Sequence, residues 1–459
     1  MLALMPFGER TPRKLFLEIG AVLTVAGITV FLIWWFNRAP EIHDVRPLGG
    51  RNVNITRNFR AQWAVSAAID PADPRVLLGG SIDQLDDTRA YTSADGGRTW
   101  KSKPQPAFLR ANCGRSDPAV AIGRSHLQLY ALLATVQCIP LDPHIRIAWR
   151  HGASAAWHVV DVPGTPRGRF VFDQRPALAA GPRGGVLVWL RFVGRANADE
   201  QRVMVSTSAD GRRWSKPLRL PFQLPWQASV ATAPDGEVYL VVADALAGLI
   251  ALRSDDGGRT FGHVHRVAAL EGVFAPACGH GDVTIPAQPQ RCVGPSPTVS
   301  VDRRHVLVTF AQQDADLTFS VQAAVLDRNL RVVRQTAVAP PDDGPRDQFI
   351  PTSTIDRSTG DLWVCFYDTT GDETRRHAWF TCTVSDDAGR TWAPPVHAAS
   401  ARSNETRFSA VRDGYGDVQA VVAAGGVGHP LWTDSRALKY AEEIYTTRLR
   451  ARDLLARAR

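Results

Sequence analysis

The sequence lacks the short motifs that mark several common kinds of site. No G-x-G-x-x-G segment and no P-loop occur, so nothing in the chain indicates a nucleotide site. The net charge is +8, but basic and acidic residues are interspersed and no basic block adjoins an aromatic cluster, which argues against nucleic-acid binding. There is no C-x2-C pair, and acidic loops such as 83–87 do not have EF-hand spacing. We therefore expect neither a metal nor a cofactor.

Long apolar runs are also nearly absent. The chain has 459 residues, and its 37 glycines and 31 prolines are spread throughout, which predicts many short strands and turns rather than long helices. The exception lies near the N-terminus, where residues 19–36 form an uncharged, almost wholly apolar run. Together with residues 15–17, this run approaches the roughly 20 residues that cross a bilayer.

The apolar run predicts a transmembrane signal anchor at residues 15–36. Arg10, Arg13 and Lys14 precede it, so the positive-inside rule places residues 1–14 in the cytoplasm. The rest of the chain would then lie outside the cytoplasm, beginning with a linker at 37–50. A cleaved signal peptide is the alternative, and it implies export as well.

The cysteines agree with export. There are six, and an even number in an exported chain favours disulfides over a metal site, since no histidines are grouped near them. Two of them lie in apolar, strand-like runs, which suits a bridge between neighbouring strands. The expected pairs are Cys113 with Cys138, Cys278 with Cys292, and Cys365 with Cys382.

One short pattern occurs four times: Ser-x-Asp-x-Gly-x-Thr-aromatic, complete in three copies and shortened in one. It is typical of a tight hairpin in which the carboxylate accepts turn N–H groups, the glycine takes a positive φ and the aromatic ring packs between sheets. The defining residues are Ser93, Asp95, Gly97 and Trp100; Ser208, Asp210 and Trp214; Ser254, Asp256, Gly258 and Phe261; and Ser385, Asp387, Gly389 and Trp392.

These motifs are Asp-boxes, and from residue 51 to 452 the chain resembles the sialidase (neuraminidase) superfamily and its bacterial BNR-repeat relatives. The resemblance implies a single all-β propeller of four-stranded blades. It also implies that the boxes lie on outer hairpins, away from any active site, where their role is structural. A shared fold does not carry a shared reaction.

A second, longer repeat indicates the number of blades. Seven segments pass from a polar cluster into a small apolar strand, turn, and continue into a more apolar strand, at intervals of 52 to 69 residues. Seven blades are therefore favoured, with six, as in true sialidases, as the alternative. The seventh unit is one strand short, and residues 53–56 could supply the missing outer strand. Residues 453–459 are interpreted as a basic tail.

Candidate ligand residues lie where the innermost strands begin, because these strand starts surround one mouth of a propeller. Arginine, aspartate and glutamine there suit a sugar or an acidic ligand. The alternative is that they satisfy backbone groups and one another. The candidates are Arg60, Arg115, Asp117, Asp173, Arg175, Arg346, Asp347 and Gln348, accompanied by Gln62, Gln174, Gln227, Ser296 and Asp417.

The resemblance also implies catalytic roles. A sialidase uses an arginine cluster for the ligand carboxylate, for which Arg60, Arg175 and Arg346 are candidates. It also uses an aspartate acid/base, here Asp86 or Asp87, and a tyrosine nucleophile activated by a glutamate, for which Tyr415 is positioned. No glutamate occurs at any inner-strand start, and the nearest one to Tyr415 is Glu405.

Two classes of function remain open from the sequence. The first is a membrane-anchored, exported propeller that binds a glycan or acidic ligand at its mouth, with or without exo-sialidase or other glycoside hydrolase activity. The second is a non-catalytic propeller that scaffolds or assembles envelope proteins. A lyase, or a hydrolase of another polysaccharide, is a further alternative to the sialidase reaction.

Overall fold

A computed structural model of the chain describes residues 27, 29, 48, 50–57, 60–84, 87–104, 115–138, 141–164, 171–194, 200–270, 284–339, 345–408, 414–436 and 442–458. The chain divides into two units, residues 1–44 and residues 45–459. In the first unit Gly27 and Thr29 are helical and exposed. Apart from these two residues, the span predicted at 15–36 lies outside the described residues. No helix among those described is long and apolar enough to cross a membrane.

The second unit is built from seven antiparallel sheets, which we call blades 1 to 7. In blades 1 to 6 the four strands follow chain order from the innermost to the outermost strand: β2–β5, β6–β9, β10–β13, β14–β17, β18–β21 and β22–β25. The strands are β1 (Val53–Asn54), β2 (Gln62–Ile69), β3 (Leu77–Asp83), β4 (Asp87–Ser93), β5 (Lys101–Pro104), β6 (Arg115–Ile122), β7 (Leu127–Cys138), β8 (Leu141–His151), β9 (His158–Asp161), β10 (Val171–Gly181), β11 (Gly184–Val193), β12 (Glu200–Ser208), β13 (Leu218–Leu220), β14 (Pro225–Thr232), β15 (Val238–Asp244), β16 (Gly248–Ser254), β17 (Gly262–Ala268), β18 (Thr298–Val301), β19 (Val306–Gln313), β20 (Phe319–Leu326), β21 (Val332–Ala337), β22 (Gln348–Ile355), β23 (Leu362–Asp368), β24 (Trp379–Ser385), β25 (Val396–His397), β26 (Ala420–Ala424), β27 (Val427–Asp434), β28 (Glu443–Thr446) and β29 (Leu449–Arg450).

Helix is scarce among the described residues. One 3₁₀ turn spans Arg124–His126, and two short α-helices span Glu405–Phe408 and Ala451–Leu455. The last helix extends into the segment interpreted above as a basic tail.

Blade 7 is completed from the N-terminal side of the ring. Its order is β26, β27, β28 and then β1, with Val53 opposite Thr446 and Asn54 opposite Tyr445. The backbone N–H of Ile55 continues the ladder by donating to the carbonyl of Ile444 at 2.9 Å. The prediction of seven blades is thus confirmed, and so is closure by the segment near residues 53–56. Such closure pairs a sheet edge that would otherwise be open.

The sequence of each strand reflects its place in the blade. Second strands are apolar along nearly their whole length because neighbouring blades cover both of their faces; β15 (VYLVVAD) and β23 (LWVCFYD) are buried throughout. Inner strands such as β2 (QWAVSAAI) carry small residues where the blades converge. The core consists of apolar clusters that each join two consecutive blades. The cluster between blades 7 and 1, for example, contains Val65, Tyr91, Leu431 and Ile444.

The Asp-box segments form the hairpins between third and fourth strands. In blade 1 the Asp95 carboxylate accepts from the N–H of Thr99 at 2.9 Å, and the Ser93 hydroxyl accepts from the N–H of Gly97 at 2.9 Å. Gly97 has a φ of +76°, and a Cβ there would lie 2.8 Å from Nδ1 of His429 in blade 7, so this turn tolerates only glycine. Blades 4 and 6 repeat these bonds, and blade 3 has a shorter version. The fold is a seven-bladed propeller with Asp-box turns in blades 1, 3, 4 and 6.

One predicted disulfide is confirmed and two lie partly outside the described residues. Cys365 and Cys382 are register partners on β23 and β24, with Cα atoms 4.1 Å apart, and they are bonded. Cys292 is also disulfide-bonded, but Cys278, its predicted partner, is outside the described residues. For Cys113 and Cys138 only the backbone of Cys138, at the end of β7, is described.

Candidate functional site

The starts of the innermost strands surround a cavity of about 650 Å³, which we call the near mouth. All seven blades contribute to it because the same strand order is repeated around the ring. The opening at the ends of the same strands is called the far mouth. The polar and aromatic residues that line the near mouth include Trp63, Asp117, Gln174, Arg175, Gln227, Arg291, Ser296, Asp417 and Gln419.

A repeated β-bulge shapes this mouth. The pairing between first and second strands shifts at one point in blades 1, 2, 3 and 6, and each shift contains a residue with positive φ: Ala64 (53°), Asp117 (49°), Arg175 (52°) and Ile350 (48°). A non-glycine residue in this conformation costs roughly 1 kcal/mol or more, and bulges re-aim side chains near functional sites. Two of the four bulge residues, Asp117 and Arg175, carry charged side chains, and both line the cavity.

Two arginines from different blades converge on one carboxylate. The guanidinium of Arg291 forms a fork with Asp417: Nε donates to Oδ1 at 2.7 Å, and Nη2 contacts Oδ2. Nη2 of Arg175 lies 3.6 Å from the same Oδ2. All three side chains remain about one-quarter exposed, at 28%, 23% and 25% for Arg291, Arg175 and Asp417. Two positive groups thus share one negative group at the wall of an open cavity.

The backbone of Arg175 ties Asp117 to this cluster. The N–H of Arg175 donates to Oδ2 of Asp117 at 3.3 Å. The guanidinium of Arg175 also lies over the indole ring of Trp226, with Cζ 4.6 Å from the ring centroid, and donates to the Trp226 carbonyl. Such stacking fixes the arginine while leaving its outer edge open to a ligand.

The two carboxylates respond oppositely to this environment. Burial raises the pKa of Asp117, and the neighbouring carboxylate of Asp417 raises it further. Burial acts in the same direction on Asp417, but Arg291 and Arg175 lower the pKa of Asp417 to about 2. Asp417 is therefore a fixed anion, whereas Asp117 is the member of the pair that retains a proton to higher pH.

Several predicted ligand residues face neighbouring strands instead of the cavity. Asp173 forms a buried ion pair with Arg191, its register partner on β11, at 2.7 Å. The side chain of Gln348 donates to Asp368 on β23 at 3.1 Å, and Gln62 makes the equivalent bond to Asp83 in blade 1 at 2.8 Å. These residues hold the first two strands of a blade together.

Asp347 and Arg346, at the start of blade 6, are also turned away from the cavity. Asp347 is fully buried and accepts from the N–H of Phe319 at 3.2 Å; burial raises its pKa to about 6. Arg346 donates to the carbonyl of Ala339 at 3.0 Å.

The remaining candidates on the first two blades are spread out. Arg60 is exposed before β2 and does not line the cavity. Asp87 begins β4 and accepts from the N–H of Thr88, and Asp86 lies outside the described residues. Arg115 begins β6, and its side chain is not among those described.

Tyr415, the predicted nucleophile, is placed in the core. Its side chain is fully buried, its ring centroid lies 4.1 Å from that of Tyr367, and its hydroxyl donates to the carbonyl of Ser403 at 3.1 Å. Glu405 is nearby, since Ser403 Oγ donates to its Oε1 at 2.8 Å. Tyrosine and glutamate are thus brought together, but beneath the surface, and burial raises the pKa of Tyr415 well above its ordinary value.

Arg291 was missed by the sequence analysis. It lies in the irregular segment before blade 5, seven residues ahead of the first residue of β18, whereas the predicted ligand residues are those next to each inner strand. The available signal was its neighbour Cys292, whose disulfide anchors that segment. Within the described ranges no group of three or more His, Cys, Asp or Glu side chains is arranged to hold a metal ion.

Comparison with known proteins gives structural neighbours only. No protein-family model and no curated protein matches the chain. The α-L-arabinofuranosidase of Fusarium graminearum, solved with arabinobiose, superimposes with a TM-score of 0.47 at 13% identity, over 88% of this chain and 98% of that one. The sialidase of Trypanosoma rangeli, solved with the inhibitor DANA, gives 0.44 at 12% identity, over 73% of this chain and 58% of that one. A Dyadobacter fermentans protein of unknown function gives 0.46 at 15% identity, over 71% and 95%.

Proposed function

We propose that the chain is an exported, membrane-anchored propeller that binds an acidic sugar at the near mouth. The observation that carries this proposal is the convergence of Arg175 and Arg291 on Asp417 at the cavity wall. Both guanidinium groups line the cavity and remain about one-quarter exposed, and guanidinium groups pair well with a ligand carboxylate. Export and anchoring rest on the apolar run at residues 19–36, within the anchor predicted at 15–36.

The rest of the cavity suits a sugar. Its volume of about 650 Å³ lies within the range of small-molecule sites and fits one or two sugar rings. Gln174, Gln227 and Ser296 on its wall provide donors and acceptors for hydroxyl groups, and Trp63 provides an apolar surface. The carboxylate would lie at the arginines and the ring would extend across the glutamines.

The test is a binding comparison by isothermal titration calorimetry with full-length protein in mild detergent. N-acetylneuraminate and glucuronate should bind, and their methyl esters should bind at least about tenfold more weakly because a charge-assisted pairing is lost. Arg291→Ala should have a similar effect, since it removes one guanidinium and leaves Asp417 to repel the ligand. Arg346→Ala is the matched control, because that arginine bonds to a carbonyl outside the cavity.

Two results would contradict the proposal. One is equal affinity for acids and esters, and the other is an Arg291→Ala protein that binds like the wild type. If no sugar bound at all, the scaffold function inferred from the sequence would become the better account.

Hydrolysis of a glycosidic bond is a second candidate, favoured by the opposite pKa shifts of Asp117 and Asp417. In this scheme Asp117 donates a proton to the leaving oxygen as the glycosidic bond breaks, while ionised Asp417 stabilises the positive charge that develops on the sugar ring. A water molecule then bonds to the anomeric carbon, and the carboxylate of Asp117 takes up the proton that this water loses. Asp117→Asn should then abolish cleavage of an aryl glycoside of the bound sugar without preventing binding. Tyr415→Phe should leave turnover nearly unchanged because the hydroxyl is buried. If the Asp117→Asn protein still turned over substrate and the Tyr415→Phe protein did not, Tyr415 would be the better candidate for the nucleophile.

A further inference from the structure

The far mouth is a second, larger opening and is edged by arginines. It encloses a cavity of about 1440 Å³ at the ends of the inner strands. Arg124, Arg303, Arg304 and Arg390, which we call the arginine rim, line this cavity from blades 2, 5 and 6, and all four are exposed. Among the described residues no carboxylate forms an ion pair with any of the four guanidinium groups.

Of the carboxylates that line the far mouth, Asp386 is exposed and the others are bonded within the protein. Asp70 is 1% exposed and Asp356 is fully buried. Asp70 is bonded to His126 at 2.6 Å, and Asp356 accepts from the N–H of Gly426 at 2.7 Å. Asp302 accepts from the backbone N–H groups of the two residues that follow Arg303 in its own turn. A surface that approaches this opening therefore meets the four guanidinium groups of the arginine rim together with one exposed carboxylate, that of Asp386.

The chain joins the propeller from this same side. β1 is antiparallel to β28, so it runs away from the far mouth and its first residue, Val53, lies at the far-mouth end. Gly50 and Arg51, which precede it, share a small cleft with Gly97 and Arg98 of the blade 1 Asp-box turn. The Asp-box turn of blade 6, including Arg390, lines the far mouth itself. Gly50 and Arg51, the described residues just before β1, thus lie on the face that bears the arginine rim.

We infer that the arginine rim docks on an anionic lipid surface, with the near mouth directed away from the bilayer. This inference rests on the anchoring in the proposed function, because a linker of 14 residues spans at most roughly 50 Å and keeps the domain beside the membrane. Within that reach, guanidinium groups that come within about 10 Å of the surface are attracted to anionic headgroups. Exposed Val333, which lines the same cavity, adds an apolar group that can enter the interface.

Amide hydrogen exchange of the full-length protein in lipid nanodiscs tests the inference. The turns at 123–126, 302–305 and 386–390 should exchange at least about fivefold more slowly in discs with 30% phosphatidylglycerol than in pure phosphatidylcholine discs, since each arginine near such a surface contributes about fivefold to association. Raising NaCl from 50 to 500 mM should remove the difference by screening. The double variant Arg303→Glu/Arg304→Glu should abolish the protection. Arg376→Glu, at an exposed arginine on the near-mouth side, should not.

Every other outcome would contradict a specific part of the inference. Equal exchange in both lipids, or equal loss of protection in Arg376→Glu, would overturn docking by the rim. Protection by soluble heparin but not by phosphatidylglycerol would assign the rim to a soluble polyanion instead. A protein that does not co-elute with the discs would refute the anchor itself. Acidic-sugar binding at the near mouth, measured on the same sample, would be unaffected by any of these results.

Discussion

Replacing Glu405 with glutamine should make the protein more stable at alkaline pH. Glu405 is 2% exposed at the start of the Glu405–Phe408 helix, and its Oε2 atom has no hydrogen-bond partner. Burial, reinforced by the neighbouring carboxylate of Glu442, raises the pKa of Glu405 to about 8. The folded protein therefore carries a neutral acid at a position where the unfolded chain would carry a carboxylate.

The sign of the effect follows from proton binding. Between the ordinary glutamate pKa of 4.5 and about 8, the folded state holds a proton that the unfolded state has released. Stability therefore falls as pH rises through this window, by up to about 1.4 kcal/mol per pH unit, and it levels off above the folded pKa. Between pH 4.5 and about 8 the free energy of unfolding therefore falls by at most about 5 kcal/mol in total.

The glutamine side chain at position 405 does not titrate, and it has nearly the same shape as the glutamate side chain. Its amide oxygen can accept the 2.8 Å bond from Ser403 Oγ, and its NH₂ group takes the place of the unpartnered oxygen. We expect Glu405→Gln to be close to the wild type at pH 5 and more stable by several kcal/mol at pH 9, up to the same ceiling of about 5 kcal/mol.

Urea unfolding followed by tryptophan fluorescence at pH 5, 6.5, 8 and 9 measures this difference. Glu373→Gln, in an exposed turn nearby, is the matched control and should unfold like the wild type at every pH. A Glu405→Gln protein whose stability falls with pH as steeply as the wild type would refute the reasoning. So would one that is destabilised equally across the range, since that would mean the carboxyl makes bonds that the amide cannot.

Three further predictions concern the fold. Deleting residues 45–57 removes β1 and opens blade 7, so the urea midpoint of the whole domain should drop; an unchanged midpoint would show that the closing strand is dispensable. Asp387→Ala should cost about 1–3 kcal/mol because it removes the acceptor for the N–H and hydroxyl of Thr391, while Asp386→Ala, next to it and exposed, should unfold like the wild type. Non-reducing peptide mapping should link Cys292 to Cys278, and another partner for Cys292 would disprove the local pairing.

Much of the fold could be predicted because short sequence patterns that indicate strands and turns are repeated along the chain. The small inner strand followed by a more apolar second strand occurs once per blade, so seven such units predicted the seven sheets. The shortfall of one strand in the last unit pointed to Val53 as the closing segment. Cys365 and Cys382 lie at matching positions of adjacent apolar strands, so their bond followed from the hairpin. Each of these inferences depends on local order along the chain.

The direction in which the polar side chains point could not be predicted in the same way. Along a strand a shift of one residue turns a side chain to the opposite face, and each bulge makes such a shift. Asp173 and Arg175 both belong to the start of β10, yet Asp173 pairs with Arg191 on the next strand while Arg175, at the bulge, lines the cavity. Composition gives no sign of where a bulge falls. The burial of Tyr415 was hidden for a related reason, because it depends on Tyr367, which is distant in sequence.

The Asp-box turns and the near mouth differ in how their carboxylates are satisfied, and this difference links ring closure to function. In the Asp-boxes each carboxylate bonds to groups within four residues, as Asp95 does with Thr99, so the turn forms from local sequence alone. At the near mouth, Asp417 is paired with Arg291 across 126 residues, and Asp117 is bonded to Arg175 across 58. The second pair joins blades 2 and 3, whereas the first joins the segment before blade 5 to blade 7, which β1 completes. The site is therefore a property of the closed ring, and an opened ring would lose the arginine cluster while the Asp-box hairpins kept their local bonds.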